Sequence, residues 1–145
     1  MKVGLLTTAL DPWKEIVAYQ QSTESMHGKY GATASFVGTM RDFNEGDNVV
    51  AMTLEHYPKM TERHLKQIVS TAQQRWDILD TLILHRVGAL LPNDPIVLVA
   101  VWSGHRAAAF DACRYIMEEL KSNAPCWKKE SLHEGTRWVK KNTEG

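Results

Sequence analysis

The sequence lacks a long apolar run, an excess of charge of one sign, and more than two cysteines. A membrane-spanning helix needs about 20 consecutive apolar residues, and the longest apolar runs, at 82–84 and 96–102, are much shorter. The 17 basic and 17 acidic residues cancel, whereas a general nucleic-acid binder usually carries a basic excess. These absences disfavour a membrane protein and a nucleic-acid-binding protein.

The two cysteines, Cys113 and Cys126, have neither metal-ligand nor redox-pair spacing. The N-terminal segment reaches Asp11 and Pro12 too early for a signal peptide. Both features predict reduced thiols in a cytoplasmic protein, with Cys113 buried at a helical core position. No HExxH, Walker A, GxGxxG or GxSxG motif is present, so metalloprotease, nucleotide-fold and hydrolase interpretations lack support.

Composition and periodicity predict an ordinary globular fold. Apolar residues make up 43% and charged residues 23% of the chain, and without repeats or linkers we expect one domain over 1–145. Consecutive strand pairs between helices favour α+β, with a mixed or antiparallel sheet and about three helices. The predicted helices begin at Asp11-Pro12, with Trp13, Ile16, Val17 and Gln20 on one face, at Pro58 and at His105; the predicted strands are 2–8, 30–40, 49–56, 78–87, 96–102 and 125–132, with brief pairing at 136–139.

A buried strand is expected to meet a helix at Ser103-Gly104-His105-Arg106. Ser103 is a helix-capping residue type, the first helical amides are free donors, and the helix dipole adds positive charge there. His105 and Arg106 would complete a pocket for a phosphate or carboxylate. Spacing alone slightly favours the alternative, in which both side chains face solvent at an ordinary helix start.

Three more basic residues are candidates for chemistry. Lys121 ends the long helix, and strand alternation puts Lys128 and Glu130 on one face. A lysine that is crowded by arginines and partly desolvated can act as a base or nucleophile near neutral pH. Arg41 follows a strand and suits bidentate anion recognition. Spacing alone favours structural roles over chemistry for all three residues. Lys121 would complement the dipole at the helix end, and Lys128 and Arg41 would be solvated.

Three blocks of the sequence resemble the MoaE family, the large, catalytic subunits of molybdopterin synthase. The first is FVGTMRDFNEGD followed by LEHYPKMTE. The second is HRVGALLPNDPIVLVAVWSGHRAAAFDACRYIMEELKSNAPCWKKE, and the third is EGTRWV. Each short motif is weak alone, but their order and spacing are specific and cover most of the chain.

The resemblance implies a sulfurtransferase with a protein co-substrate. A small ubiquitin-like carrier subunit would insert a C-terminal Gly-Gly thiocarboxylate and deliver two sulfur atoms in succession to cyclic pyranopterin monophosphate. The product would be molybdopterin, which carries a dithiolene. The family also implies an α/β-hammerhead-like fold, a homodimer of large subunits within a heterotetramer, and no metal or organic cofactor, since the carrier brings the sulfur.

The resemblance also assigns the two lysines to catalysis. It implies that Lys121 does general acid–base work and stabilises the leaving carboxylate. Lys128 would be a second proton-transfer or anchoring group, which Glu130 orients.

The remaining pocket positions of the family correspond to substrate-binding residues. Arg41, His105 and Arg106 would hold the phosphate and the pterin. Phe36 and Met117 match further positions of the same pocket.

The sequence departs from the family pattern in places. Cys126 stands where relatives often have an aromatic residue, and Trp102 where they have a small one. Lys140 and Lys141 lie near the position of a basic pocket residue of relatives.

Two competing hypotheses remain. The first is a docking module that binds a ubiquitin-like tail or a pterin and does no chemistry. The second is a single-stranded nucleic-acid binder that uses the five tryptophans, which the zero net charge disfavours.

Overall fold

A computed structural model describes residues 1–44, 47–123, 126–132 and 135–138, with the backbone alone described for 43–44, 47 and 126–131. Three α-helices and nine strands occupy these residues, which confirms the predicted α+β class. The helices are α1 (Pro12–Ser22), α2 (Pro58–Arg75) and α3 (Arg106–Asn123). The strands are β1 (Lys2–Leu6), β2 (Ala32–Thr39), β3 (Phe43–Asn44), β4 (Asp47–His56), β5 (Asp80–Arg86), β6 (Gly88–Leu90), β7 (Pro95–Ser103), β8 (Cys126–Leu132) and β9 (Gly135–Trp138).

The first sheet has the order β1-β5-β7-β2, with β1 and β5 parallel and the other pairs antiparallel. Helices cover both of its faces. Val99 and Val101 of β7 belong to the core beneath α2 and α3, and the alternating Leu98 and Trp102 belong to a second core on the side of α1. All four side chains are fully buried, as expected for an inner strand that is covered on both faces.

The second sheet has the order β3-β4-β8-β9, and β6 pairs with β4 as well. All of its described pairs are antiparallel. Its core joins the first sheet, because Met40 follows β2 directly and Ile96 comes from β7. The strands of the predicted mixed or antiparallel sheet are therefore divided between two sheets.

Strand alternation predicts that Val50, Met52, Leu54 and His56 share one face of β4. Met52 and Leu54 are buried as expected, but Val50 is 40% exposed. Val49 is buried instead, because the pairing register shifts between Val49 and Ala51. Such a bulge moves every residue before it to the opposite face of the strand.

The predicted start of α1 is confirmed, but its predicted apolar face is only half right: Ile16 packs against the core and Gln20 faces inward, whereas Trp13 and Val17 face outward. Trp13 is 64% and Val17 51% exposed. The side of α1 that packs inward carries Tyr19, whose ring stacks on Trp102 at 5.5 Å. It also carries Gln20, whose Oε1 accepts a hydrogen bond from Trp102 Nε1 at 3.0 Å. The contacts with this buried indole and the packing of Ile16 together set the orientation of the helix.

Other predicted boundaries need small corrections. The first strand ends at Leu6, two residues earlier than predicted, and α3 continues to Asn123. The connection predicted at 88–95 contains the short strand β6, because this segment pairs with β4. None of the helices described here is long and apolar enough to cross a membrane.

Candidate functional site

A groove of about 250 Å³ lies between β2 and α3. β2 is the last strand of the first sheet, and α3 packs over β2 and its neighbour β7. The groove is therefore bounded by a sheet edge on one side and a helix on the other. The lining residues are Ala34, Ser35, Phe36, Phe110, Cys113, Arg114, Met117, Glu118 and Lys121.

This groove brings together three of the predicted site residues. Phe36 projects from β2 and is 40% exposed. Met117 is 6% exposed, and Lys121, four residues later on α3, is partly buried. A spacing of four places both side chains on one face of the helix, so a lysine joins the largely apolar lining of the groove.

The rim of the groove is charged. Arg114 Nε and Glu118 Oε1 form an ion pair at 2.7 Å, between exposed side chains four residues apart on α3. Together with Lys121, the lining carries two cations and one carboxylate. The excess positive charge favours an anionic occupant such as a carboxylate or phosphate.

Cys113 lies in the same groove and confirms the predicted buried thiol. It is a free cysteine with 7% exposure. Burial raises the pKa of its thiol to about 11. Because the thiolate is the nucleophilic form, this shift lowers the reactivity of the cysteine near neutral pH.

His105 and Arg106 lie at the other end of α3, and both are exposed. The Ser103 hydroxyl holds the turn before the helix: it accepts from the His105 N–H at 3.2 Å and donates to the Asp77 carbonyl at 2.8 Å. Fifteen helical residues separate Arg106 from Lys121, or about 22 Å at 1.5 Å per residue. Within one chain, the predicted anion-binding pair and the groove lysine do not meet.

Arg41 is exposed and comes two residues after the end of β2. It lies where the first sheet adjoins the second, because the preceding Met40 is buried in the core of the second sheet. The same chain segment thus carries Phe36 in the groove and Arg41 beyond it.

The side chains of Lys128 and Glu130 lie outside the described part of the structure, but their strand register is described. Lys128 is opposite Leu54, and Glu130 is opposite Met52, on β4. On the other side, Glu130 is opposite Arg137 of β9, a position that sequence reasoning did not select. The side chain of Cys126, and Lys140 and Lys141, also lie outside the described residues.

Sequence reasoning missed several residues that line the groove. Phe110 is 67% exposed, and it shares a side of α3 with Arg114, Glu118 and Lys121. Their spacing of four, four and three residues is helical, so the sequence alone could have placed them on one face of α3. The face mixes charged and apolar residues, however, and therefore gives no clear hydrophobic pattern. Among the described residues, no cluster of three His, Cys, Asp or Glu side chains could hold a metal ion.

Comparison with known proteins gives a consistent result. The family described as "MoaE protein" matches residues 10–123. A Pseudomonas aeruginosa protein named molybdopterin synthase catalytic subunit is 48% identical over 139 residues, which are 96% of this chain and 90% of that protein. A Ralstonia nicotianae protein of the same name is 62% identical over 109 residues, 75% of this chain and only 62% of that protein's length.

The fold matches a solved structure as well. A molybdopterin biosynthesis MoaE protein from Burkholderia ambifaria superposes with a TM-score of 0.80 and 44% identity. The match covers 99% of this chain and 91% of that one.

Proposed function

The chain belongs to the MoaE protein family, and from this premise we propose that it is the catalytic subunit of a molybdopterin synthase, an enzyme of molybdenum-cofactor biosynthesis. In the proposed reaction, a small ubiquitin-like carrier gives up sulfur from its C-terminal thiocarboxylate, and two such transfers convert cyclic pyranopterin monophosphate to molybdopterin. The observation that carries the proposal is the groove between β2 and α3, with Lys121 in its lining.

The groove suits the tail of such a carrier. It is narrow, at about 250 Å³, and largely apolar. A Gly-Gly terminus has no side chains and can enter a space of this size. The terminal thiocarboxylate is an anion, and it would meet the positive charge of Lys121 and Arg114. Because sulfur loss leaves a carboxylate on the carrier, a lysine at this point can stabilise the leaving group and transfer a proton.

We further propose that the working unit is a dimer of this chain, with a carrier bound to each copy. His105 and Arg106 are about 22 Å from the groove lysine along α3, which is too far for one small substrate. A two-fold axis that sets α3 of two copies antiparallel would place the helix start of one copy beside Lys121 of the other. The pterin phosphate would then bind at the positive helix start, next to the sulfur donor.

The alternative is a docking module that binds a carrier tail or a pterin without chemistry. An apolar groove alone would serve such a module. The partly buried Lys121 in the lining of the groove favours the enzyme, because tail binding by itself does not require a proton-transfer group there.

A reconstituted reaction tests the proposal. Purified protein is mixed with the pterin precursor and a thiocarboxylated carrier, and dithiolene product is followed as its oxidised fluorescent derivative. We expect product only when all three components are present. Lys121→Ala should abolish product while the protein stays folded and binds its carrier.

Lys66→Ala provides the matched control, because Lys66 is an exposed helical lysine paired with Glu62 on α2, away from the groove. It should leave turnover unchanged. Carrier binding without product in the wild-type protein would support the docking module, and normal turnover by the Lys121 variant would remove that lysine from catalysis.

A further inference from the structure

The chain segment that carries Arg41 is held by a turn between β6 and β7. The Met40 N–H donates to the Asp94 carbonyl at 2.9 Å, and the Met40 carbonyl accepts from the Asn93 N–H at 2.8 Å. Both backbone groups of the residue before Arg41 are therefore bound to the turn. The Met40 side chain is also fixed, since it is 4% exposed in the core of the second sheet.

The turn itself has an unusual backbone. Asn93 has a φ of 76°, and among the described residues it is the one position other than glycine with a positive φ. The turn is closed on both sides: the Asp94 N–H donates to the Leu91 carbonyl at 3.0 Å, and the Leu91 N–H donates to Asp94 Oδ2 at 2.9 Å. Asparagine tolerates the left-handed conformation better than most residues, whereas a β-branched side chain strongly resists it.

The residue after Arg41 is anchored as well. The Asp42 carbonyl accepts a hydrogen bond from the Val49 N–H at 2.7 Å, which ties it to β4. Arg41 is thus an exposed residue between two fixed neighbours, one held by the turn and one held by the second sheet. A guanidinium that recognises a substrate anion benefits from this arrangement, because less conformational entropy is lost on binding.

We propose that Asn93 is a positioning residue for Arg41: its left-handed conformation aims the backbone N–H at Met40 and so fixes where the Arg41 side chain starts. This inference rests on the proposed function, in which Arg41 binds the anionic pterin precursor. Asn93 acts through the backbone of Met40 and needs no contact with substrate. Its side-chain chemistry is therefore unimportant, and only its φ matters.

The test compares Asn93→Val with Asn93→Gly in the reconstituted reaction. Valine disfavours the positive φ and should displace the turn, while glycine adopts it readily. We expect Asn93→Val to raise KM for the pterin precursor by about ten- to a hundredfold, since small misplacements in a site have effects of this size. Asn93→Gly should stay within about twofold of the wild type. A purely structural defect would reduce the active fraction, lowering kcat and leaving KM unchanged.

A double-mutant cycle with Arg41→Ala identifies the route of the effect. In the Arg41→Ala background, Asn93→Val should raise KM no further. An unchanged KM for Asn93→Val, or an equal rise with and without Arg41, would overturn the inference. If Asn93→Val does not fold, Asp94→Ala takes its place, because it removes the Leu91 hydrogen bond that closes the turn; the same outcomes then apply.

A second readout separates this inference from the proposed function. The Arg41 Nε–H resonance of isotopically labelled protein should move in Asn93→Val and stay in place in Asn93→Gly. If the wild-type protein makes no product, the proposed synthase function is refuted. If the Arg41 resonance does not move in Asn93→Val, the positioning role of Asn93 is refuted, whether or not the protein is active.

Discussion

At the residue scale, Cys113 and Lys121 line the same groove but differ in their local surroundings. Lys121 is partly buried in the lining of the groove. Cys113 lies on the apolar wall, and burial raises the pKa of its thiol from 9.0 to about 11. In a sulfur-transfer site, a thiolate beside the carrier tail would compete as a nucleophile, and a protonated thiol does not.

The state of Cys113 gives a pH prediction. At pH 8 a pKa near 11 leaves about a hundredfold less thiolate than the usual pKa of 9.0. Alkylation of Cys113, followed by peptide mass spectrometry, should therefore be far slower in the native protein than in the urea-unfolded protein, and should accelerate as pH approaches 11. Equal alkylation rates for the native and the unfolded protein at pH 8 would show that the fold does not protect the Cys113 thiol.

The same shift has a consequence for stability. The folded state keeps the Cys113 proton that the unfolded chain loses above about pH 9. The contribution to stability is therefore fully present below pH 9 and falls as pH rises through the window from 9 to 11. It has no effect on acid denaturation.

At the element scale, α1 packs by a side that combines an apolar residue, Ile16, with two residues that carry polar groups. Tyr19 and Gln20 contact Trp102, which is fully buried. The indole N–H of Trp102 would be a buried donor without a partner if Gln20 did not accept its hydrogen bond. A buried polar group without a partner is costly, so this bond and the ring stacking outweigh the gain from burying Val17.

Two alanine variants of α1 test this. Gln20→Ala should lower the free energy of unfolding by about 1–3 kcal/mol, the cost of an unsatisfied buried donor. Val17→Ala, on the same helix and 51% exposed, should change it by no more than about 0.5 kcal/mol. Urea denaturation measures both, and a larger loss for Val17 would mean that the apolar face predicted from the sequence is the one that packs.

At the scale of the whole molecule, the proposed dimer accounts for residues that one chain keeps apart. The start of α3 carries His105 and Arg106, while its last turns carry Met117 and Lys121. One copy cannot bend an 18-residue helix to join them. Two copies with antiparallel α3 helices would form two equivalent sites, each with one end from each copy.

Complementation tests this arrangement. Arg106→Ala and Lys121→Ala should each be inactive as homodimers. Co-expressed, half of randomly assembled dimers would contain one of each, and one of their two sites would be intact, so activity should return to about a quarter of the wild-type value. No return of activity in confirmed mixed dimers would mean that Arg106 and Lys121 act from the same chain.

Much of the fold was predictable because local signals agree with the tertiary structure. The apolar run at 96–102 became the central strand β7, and Asp11-Pro12 and Pro58 mark helix starts. The α+β class followed from the order of these elements. The bulge at Val49 and the orientation of α1 were not predictable, because pairing with β8 and a buried indole decide them.

The sequence by itself determined the types of residue that can perform the proposed chemistry and their spacing along each element. Helical spacing puts Met117 and Lys121 on one face of α3, and no tertiary contact is needed for that. Tertiary structure decided which elements meet: Phe36 reaches this face because β2 lies at the edge of the sheet under α3. The separation of Arg106 from Lys121, by contrast, needs no tertiary contact, since a straight helix fixes the distance between its ends.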